Sequence, residues 1–124
     1  MTLVLVAAGG AAGALSRYLV DGAIVDRLGA EFPWGTLVIN TSGSFVLGLL
    51  FALAIERGVL PPDTRAPLMI GFIGAYTTFS TLMLESWRLA EGGALALAFV
   101  NVAGSCILGL AAVLAGLALG RLAG

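Results

Sequence analysis

The sequence predicts an all-α integral membrane protein of four transmembrane helices, the third of them broken near its middle. Three observations predict it. Hydrophobic residues make up 60% of the 124 and charged residues 10%, against about 25% charged in an average soluble domain, and mean hydropathy is +1.07. The apolar residues fall in four runs, approximately 3–25, 34–55, 66–87 and 94–119, each near or above the ~20 residues that carry a helix across ~30 Å of hydrocarbon. The third run also contains "GAYTTFST", residues 74–81, where four threonine and serine hydroxyls and a glycine stand in an otherwise apolar segment.

The first run begins without the basic n-region of a signal peptide and is not followed by a mature soluble domain, so it is read as a retained span. Gly9 and Gly13 give it a small-residue seam for close helix packing. Arg17 and Asp21, at i and i+4, lie where each could reach a membrane interface or the other. In the second run, "WGTLVINTSGSFVLG", residues Thr36, Asn40, Gly43 and Ser44 fall at i, i+4, i+7 and i+8 and so share one helix face. The fourth run repeats the pattern with Asn101, Ser105 and Gly109 in "NVAGSCILG" and carries a second seam at Gly116 and Gly120. These stripes serve equally as packing seams or as a polar path, except at Asn40, whose primary amide must find partners in hydrocarbon.

The connections, roughly 26–33, 56–65 and 88–93, are too short for an extramembrane domain, which makes 1–124 one four-helix membrane domain whose function lies within the bilayer. No histidine occurs, and the acidic residues do not cluster with metal-ligand spacing, so a catalytic metal is not expected. The single cysteine, Cys106, allows no intrachain disulfide. Nucleophile motifs, phosphate loops and basic stripes for nucleic acid are absent from the sequence, which points away from an enzyme and from nucleic-acid partners. With an even number of spans, Arg57, Arg65 and Arg121 share the side of the N-terminus while Arg27 and Arg88 lie opposite. Three against two barely biases insertion. A chain that inserts both ways can form an antiparallel homodimer with its two-fold axis in the membrane plane, the two-chain counterpart of an inverted repeat.

The stripes are rich in donors and poor in charge. Cation pathways and proton coupling usually show a buried carboxylate or histidine near midspan, whereas hydroxyl and amide hydrogens suit a small anion whose hydration they replace. In the third run, threonines and serine following Gly71 and Gly74 weaken the helix, because their hydroxyls compete for backbone carbonyls, and a break is expected near 74–77. Broken backbone at that depth frees carbonyls that suit a cation, while the following half-helix offers amide hydrogens and a positive dipole end. Phe79 either faces lipid or core, or presents its electropositive ring edge to an anion.

Four blocks, "GGAAGALSRY", "GTLVINTSGSFVLG", "GFIGAYTTFSTLMLE" and "NVAGSCILG", resemble in order those of the CrcB/Fluc fluoride channels, also known as fluoride exporters. The resemblance runs the length of the chain and is most specific in the second and third blocks. It implies a fluoride-selective passive channel of the bacterial inner membrane, built as an antiparallel dual-topology dimer with two pores. It also implies a structural sodium ion at the dimer centre, held by backbone carbonyls of Gly74 and Thr77 from both subunits, and no organic cofactor. Asn40 and Phe79 would line the fluoride path, joined by Thr81, Ser105 and the carboxylate of Glu85, with Arg17 near the aqueous vestibule.

The family usually reads Thr-Thr-Phe-Ser-Thr-Phe where this chain has Leu82 in the last position. Leucine three residues after Phe79 replaces a ring edge with an apolar methyl surface. Either one ring per pore suffices, or a paralogous partner supplies the second, or the subunit is non-conducting. A small multidrug-resistance type transporter is similar in length and topology, but its cation and proton exchange centres on a glutamate in the first helix. The first run here has none. A purely structural membrane subunit is the remaining alternative.

Overall fold

The computed structural model describes residues 1–123. Four helical spans long and apolar enough to cross a membrane run Thr2–Leu28, Trp34–Glu56, Pro62–Glu91 and Leu95–Leu122. Each connection turns tightly on a glycine in the left-handed region, Gly29 at φ 80°, Gly58 at φ 65° and Gly93 at φ 86°, a conformation that a side chain resists. With the turns this short, the helices extend to the ends of their apolar runs and somewhat beyond.

The first and fourth spans are regular along their length. The second is α-helical over Trp34–Phe51 and then widens into π-helical turns over Ala52–Glu56. The third is composite. It starts at Pro62, a residue whose missing N–H is harmless in a first turn, and widens over Ala66–Ile73 around Pro67, where proline cannot close an i→i−4 bond. It closes as a short α-helical turn over Gly74–Tyr76. Thr77 (φ −82°, ψ 158°) and Thr78 (φ −149°, ψ 120°) are extended, and a second half-helix runs Phe79–Glu91. The interruption expected near 74–77 is there but falls later: Gly74–Tyr76 still completes a helical turn, and the extended residues are the threonine pair 77–78.

Backbone-to-backbone proximity at glycines ties the bundle together. A methyl group on Gly9 would overlap the Pro67 carbonyl, one on Gly13 the Phe72 carbonyl, and one on Gly71 would lie 2.7 Å from the Val6 carbonyl, so the first helix lies directly on the leading half of the third span. On the other side, Gly48 faces Val113 and Gly116 faces Phe45 in the same way, with Gly120 against Ala52 and Leu49, joining the second and fourth helices in the broadest interface of the fold. Small residues at such crossings allow the close packing that holds helices together in lipid, where apolar burial gives no advantage. The expected seams at Gly9, Gly13, Gly116 and Gly120 are thus the contacts that set the helix arrangement.

Few large residues are enclosed. Ile39, Ala52, Ala54, Ile73 and Leu82 form the apolar interior, while leucines, valines and phenylalanines cover the outside, as a lipid-facing surface requires. On the side of the N-terminus, Arg57 donates to the carbonyls of Gly120 and Ala123, capping the end of the fourth helix, and Arg121 forms a bidentate pair with Glu56 at 2.7 and 2.8 Å. Among the described residues this is the only ion pair. Arg17 and Asp21 therefore do not pair with each other: the Arg17 guanidinium points at the break in the third span, and the Asp21 carboxylate lies over the bare backbone of Gly35.

Candidate functional site around the break

An extended dipeptide inside a membrane helix leaves backbone groups that hydrocarbon cannot satisfy. The fold answers with side chains from two other helices. Asn40, on the polar face of the second helix, accepts a hydrogen bond from the Thr78 N–H at 2.8 Å and donates one to the Thr78 carbonyl at 2.9 Å, so that one amide matches both groups of one residue. From the first helix, Arg17 Nε donates to the Ala75 carbonyl at 3.1 Å, placing a cation at the C-terminal end of the leading half-helix, where the dipole favours it. Within the segment, the Thr77 N–H and hydroxyl both donate to the Ile73 carbonyl, at 3.0 and 2.9 Å.

The trailing half-helix is capped by its own sequence. Thr78 is the N-cap, its hydroxyl accepting from the Thr81 N–H at 3.3 Å and donating to the Thr81 hydroxyl at 3.0 Å. Tyr76 is fixed by a stacked contact with Phe72 and by hydrogen bonding between its hydroxyl and Ser42 at 3.0 Å. Gly43 permits the approach, since a side chain there would overlap the Thr77 methyl group.

These contacts account for most of the freed backbone but not all of it. Ile73, Ala75 and Thr78 carbonyls have donors, and the Thr78 N–H that would close a helical bond onto Gly74 is diverted to Asn40. The Thr81 N–H that would reach back to Thr77 goes instead to the Thr78 hydroxyl. The carbonyls of Gly74 and Thr77 are left without those donors, and Gly74 is exposed. Uncharged carbonyl oxygens at a half-helix C-terminus are the donor type that holds a sodium ion in membrane proteins, so this backbone fits such an ion. Two oxygens are only part of a coordination shell.

Two cavities adjoin the break, and a third lies farther along the trailing half-helix. The first, of about 230 Å³, is lined by Asn40, Ser44, Thr77, Thr78, Phe79 and the apolar side chains of Leu47, Ile73 and Leu82, with no ionised group. Phe79 is 74% exposed at the first position of the trailing half-helix, whereas Leu82 is 6% exposed and belongs to the interior. A second cavity of about 290 Å³ holds Arg17, Tyr18, Asp21, Thr36 and Thr81, with Thr78 forming a wall common to both. A third, near the opposite end of the trailing half-helix, is lined by Glu31, Glu85 and Arg88.

Asn40, Thr77 and Phe79 thus share one cavity, Arg17 and Thr81 the next, and Glu85 stands at the third, where its carboxylate accepts a hydrogen bond from the Thr36 hydroxyl. Ser105 is separate from all three. It is buried on the fourth helix with its hydroxyl unpartnered, one turn from Asn101, whose amide donates to Ser86 at 2.9 Å while its own carbonyl oxygen is unpartnered. Ser86 in turn donates to the Leu82 carbonyl at 2.7 Å.

Thr36 and Thr78 are site residues to which the sequence reading gave no specific role. The signal for Thr36 was its place on the Asn40 face, four residues earlier. For Thr78 it was the S/T-x-x-S/T spacing to Thr81 at a helix start.

The similarity of the chain to known proteins runs through all of these elements. It is 49% identical over 121 residues to the Fluoride-specific ion channel FluC of Methylococcus capsulatus, covering 98% of this chain and 53% of that protein. It is 48% identical over 117 residues to the protein of the same name from Solidesulfovibrio magneticus, covering 94% of each. It is also 48% identical over 121 residues to the Fluoride-specific ion channel FluC 1 of Symbiobacterium thermophilum, covering 97% of this chain and 98% of that protein. Residues 4–117, which take in most of all four spans and the whole break, match the family described as CrcB-like protein, Camphor Resistance (CrcB), and the chain belongs to that family.

Proposed function

We propose that the protein is a passive, fluoride-selective channel of the bacterial plasma membrane. The observation that carries the reading is the first cavity: at the depth of a broken helix, amide, hydroxyl and aromatic groups converge with no ionised side chain among them. A small anion entering it exchanges water for hydroxyl and amide hydrogens and for the ring edge of Phe79, without meeting a fixed negative charge. Relatives that match the chain over nearly its whole length are named as fluoride channels and not as enzymes, which supports the same cargo.

The sequence contains no histidine and no nucleotide-binding motif to couple transport to protons or ATP. Passive flow is enough for export. Hydrogen fluoride enters uncharged and ionises near neutral pH, and a negative-inside potential worth ~2.3 kcal/mol per charge per 100 mV drives the anion out.

A single copy of the chain is an incomplete channel in this reading. Gly74 and Thr77 present carbonyls that hydrocarbon would leave unsatisfied, and two oxygens cannot surround a cation. A second copy, related by a two-fold axis in the membrane plane, supplies the same two carbonyls from the other side and completes a sodium site between them. The near-balance of arginines across the bilayer permits that opposite orientation. Held by the Gly74 and Thr77 carbonyls of both copies, such an ion would act structurally, offsetting their dipoles and tying the two breaks together. Asn40, Phe79 and Thr81 then act on fluoride along each path, with Glu85 further along it and Arg17 drawing the anion toward the break, while Ser105, which lines none of the three cavities, is left out of this path. The numbered name of the Symbiobacterium relative is in keeping with a paralogous second subunit as the alternative to a self-pairing chain.

Fluoride efflux from liposomes containing the purified chain alone, read with a fluoride electrode under a potassium-set potential and with chloride as competitor, tests the function. Rapid, potential-driven, fluoride-selective efflux without a proton gradient is expected. Strict dependence on a proton gradient, or no efflux from folded protein even with Leu82→Phe or a paralogous partner present, would sink the reading.

A further inference from the structure

The threonine pair does not by itself explain why the third span breaks where it does. Both residues have backbone N–H groups able to continue a helix, and the leading half returns to α-helical turns over Gly74–Tyr76, with the Thr77 N–H still closing a bond onto Ile73. The next helical bond would run from the Thr78 N–H to the Gly74 carbonyl. That N–H goes instead to Asn40 Oδ1 at 2.8 Å, and Asn40 Nδ2 simultaneously takes the Thr78 carbonyl at 2.9 Å. A planar amide offering one acceptor and one donor side by side matches the N–H and C=O of an extended residue, which is the geometry of Thr78, and does not match those of a helical residue, whose two groups point opposite ways along the axis.

We propose that Asn40 is a positioning residue that holds the third span open by outcompeting the Gly74 carbonyl for the Thr78 N–H. The consequences follow by bond counting. With Thr78 held extended, its hydroxyl is free to cap the trailing half-helix through Thr81, so Phe79 starts that half-helix and faces the first cavity. With the Thr78 N–H diverted, the Gly74 carbonyl stays available. Without the clamp, the 78→74 bond can form, the carbonyl is consumed and Phe79 rotates away with the rewound turn. This assigns Asn40 a task that acts through the backbone, distinct from touching the anion. The effect on transport rests on the channel reading above, but the effect on the helix does not.

The experiment is isotope-edited infrared spectroscopy of the full chain in lipid, sodium-free, with a ¹³C=¹⁸O label at the Gly74 carbonyl. Asn40→Leu keeps the shape of the side chain and removes both polar atoms. It is expected to shift the labelled band to lower wavenumber as the carbonyl gains the Thr78 hydrogen bond. Asn40→Asp retains the acceptor for the Thr78 N–H and is expected to leave the band where the wild type has it. If Asn40→Leu does not fold, Asn40→Ser, too short to reach Thr78, takes its place with the same expectation. A band that stays put in both Asn40→Leu and Asn40→Ser, or that shifts equally in Asn40→Asp, overturns the proposal. Fluoride efflux is measured alongside, where Asn40→Leu should lose at least about tenfold, as expected for removing two backbone-directed hydrogen bonds. Absent efflux in the wild type would instead strike at the channel reading and leave the infrared result to judge the clamp.

Discussion

Gly104 and Gly116 lie on the same helix, three turns apart, and replacing each by alanine separates helix propensity from packing. Alanine favours a helix over glycine by about 1 kcal/mol, and that term is common to both sites. The surroundings are not. Nothing lies within 4 Å of a methyl group built on Gly104, whereas one on Gly116 would overlap the Phe45 carbonyl oxygen and sit 2.8 Å from the Leu49 nitrogen. Both obstacles are backbone, so neither can rotate away. The second and fourth helices must part, and overpacking of that kind costs about 1–3 kcal/mol. Gly104→Ala should therefore stabilise slightly or leave stability unchanged, and Gly116→Ala should fall below it by about 2 kcal/mol, a factor of about 30 in the unfolding equilibrium constant. Reversible unfolding in mixed detergent micelles, followed by circular dichroism, gives both values under one reference state. Equal stability of the two variants would refute the claim that the second and fourth helices meet backbone to backbone.

Thr36→Val should destabilise the protein by about 1.5–3 kcal/mol, because the half-buried Glu85 carboxylate loses its hydroxyl donor, while Thr36→Ser should restore most of it in the same unfolding assay. Phe79→Leu should leave the unfolding midpoint within error, since Phe79 covers no interior surface, yet reduce fluoride efflux; a stability loss with unchanged efflux would reverse that assignment. Leu82→Phe should cost about 1–3 kcal/mol through overpacking of an enclosed site, unless the ring grows into the adjoining cavity, in which case unchanged stability comes with altered efflux. Arg121→Ala, which breaks an exposed pair with Glu56, should leave the unfolding midpoint unmoved, and a clear drop would mean that this pair is shielded from water.

Everything that depends on one segment at a time could be read from the sequence. Span number followed from run length, the glycine seams from i, i+4 spacing, and the weakness of the third helix from its clustered hydroxyls. What escaped was pairing across the sequence. Asn40 could be said to need partners, but only the fold sets it 38 residues away from its own, on the backbone of Thr78. Thr36 and Glu85 meet across 49 residues. Arg17 had a plausible neighbour in Asp21 one helical turn on, and local spacing favoured that pair. The carbonyl of Ala75, freed by a break in a different helix, won because a half-helix end in the bilayer has no water to replace it, whereas a carboxylate near the interface does. The widened turns at Ala66–Ile73 and Ala52–Glu56 had no periodicity signal, as a single extra residue per turn barely alters an all-apolar run.

The distribution of partners at the break also bears on what kind of object one chain is. A chain selected to be complete alone would satisfy every group its broken helix frees, and this chain had the means, since hydroxyls of Ser80 and Thr81 lie within two to three residues of the gap. It meets the Thr78 N–H and the Ile73, Ala75 and Thr78 carbonyls, using side chains from two neighbouring helices, and spends the Thr81 N–H on the Thr78 hydroxyl when Thr77 could have taken it. The unmet carbonyls are therefore not a failure of local chemistry. In water they would be hydrated at little cost; in hydrocarbon each is a penalty of several kcal/mol. In the dimer proposed above, a cation shared with a second copy would remove a penalty of that size at Gly74 and Thr77. On this reading the pairing of chains and the binding of the ion are one event, and the protein should show sodium-dependent dimer stability that a Gly74→Ala variant, with its carbonyl intact, retains.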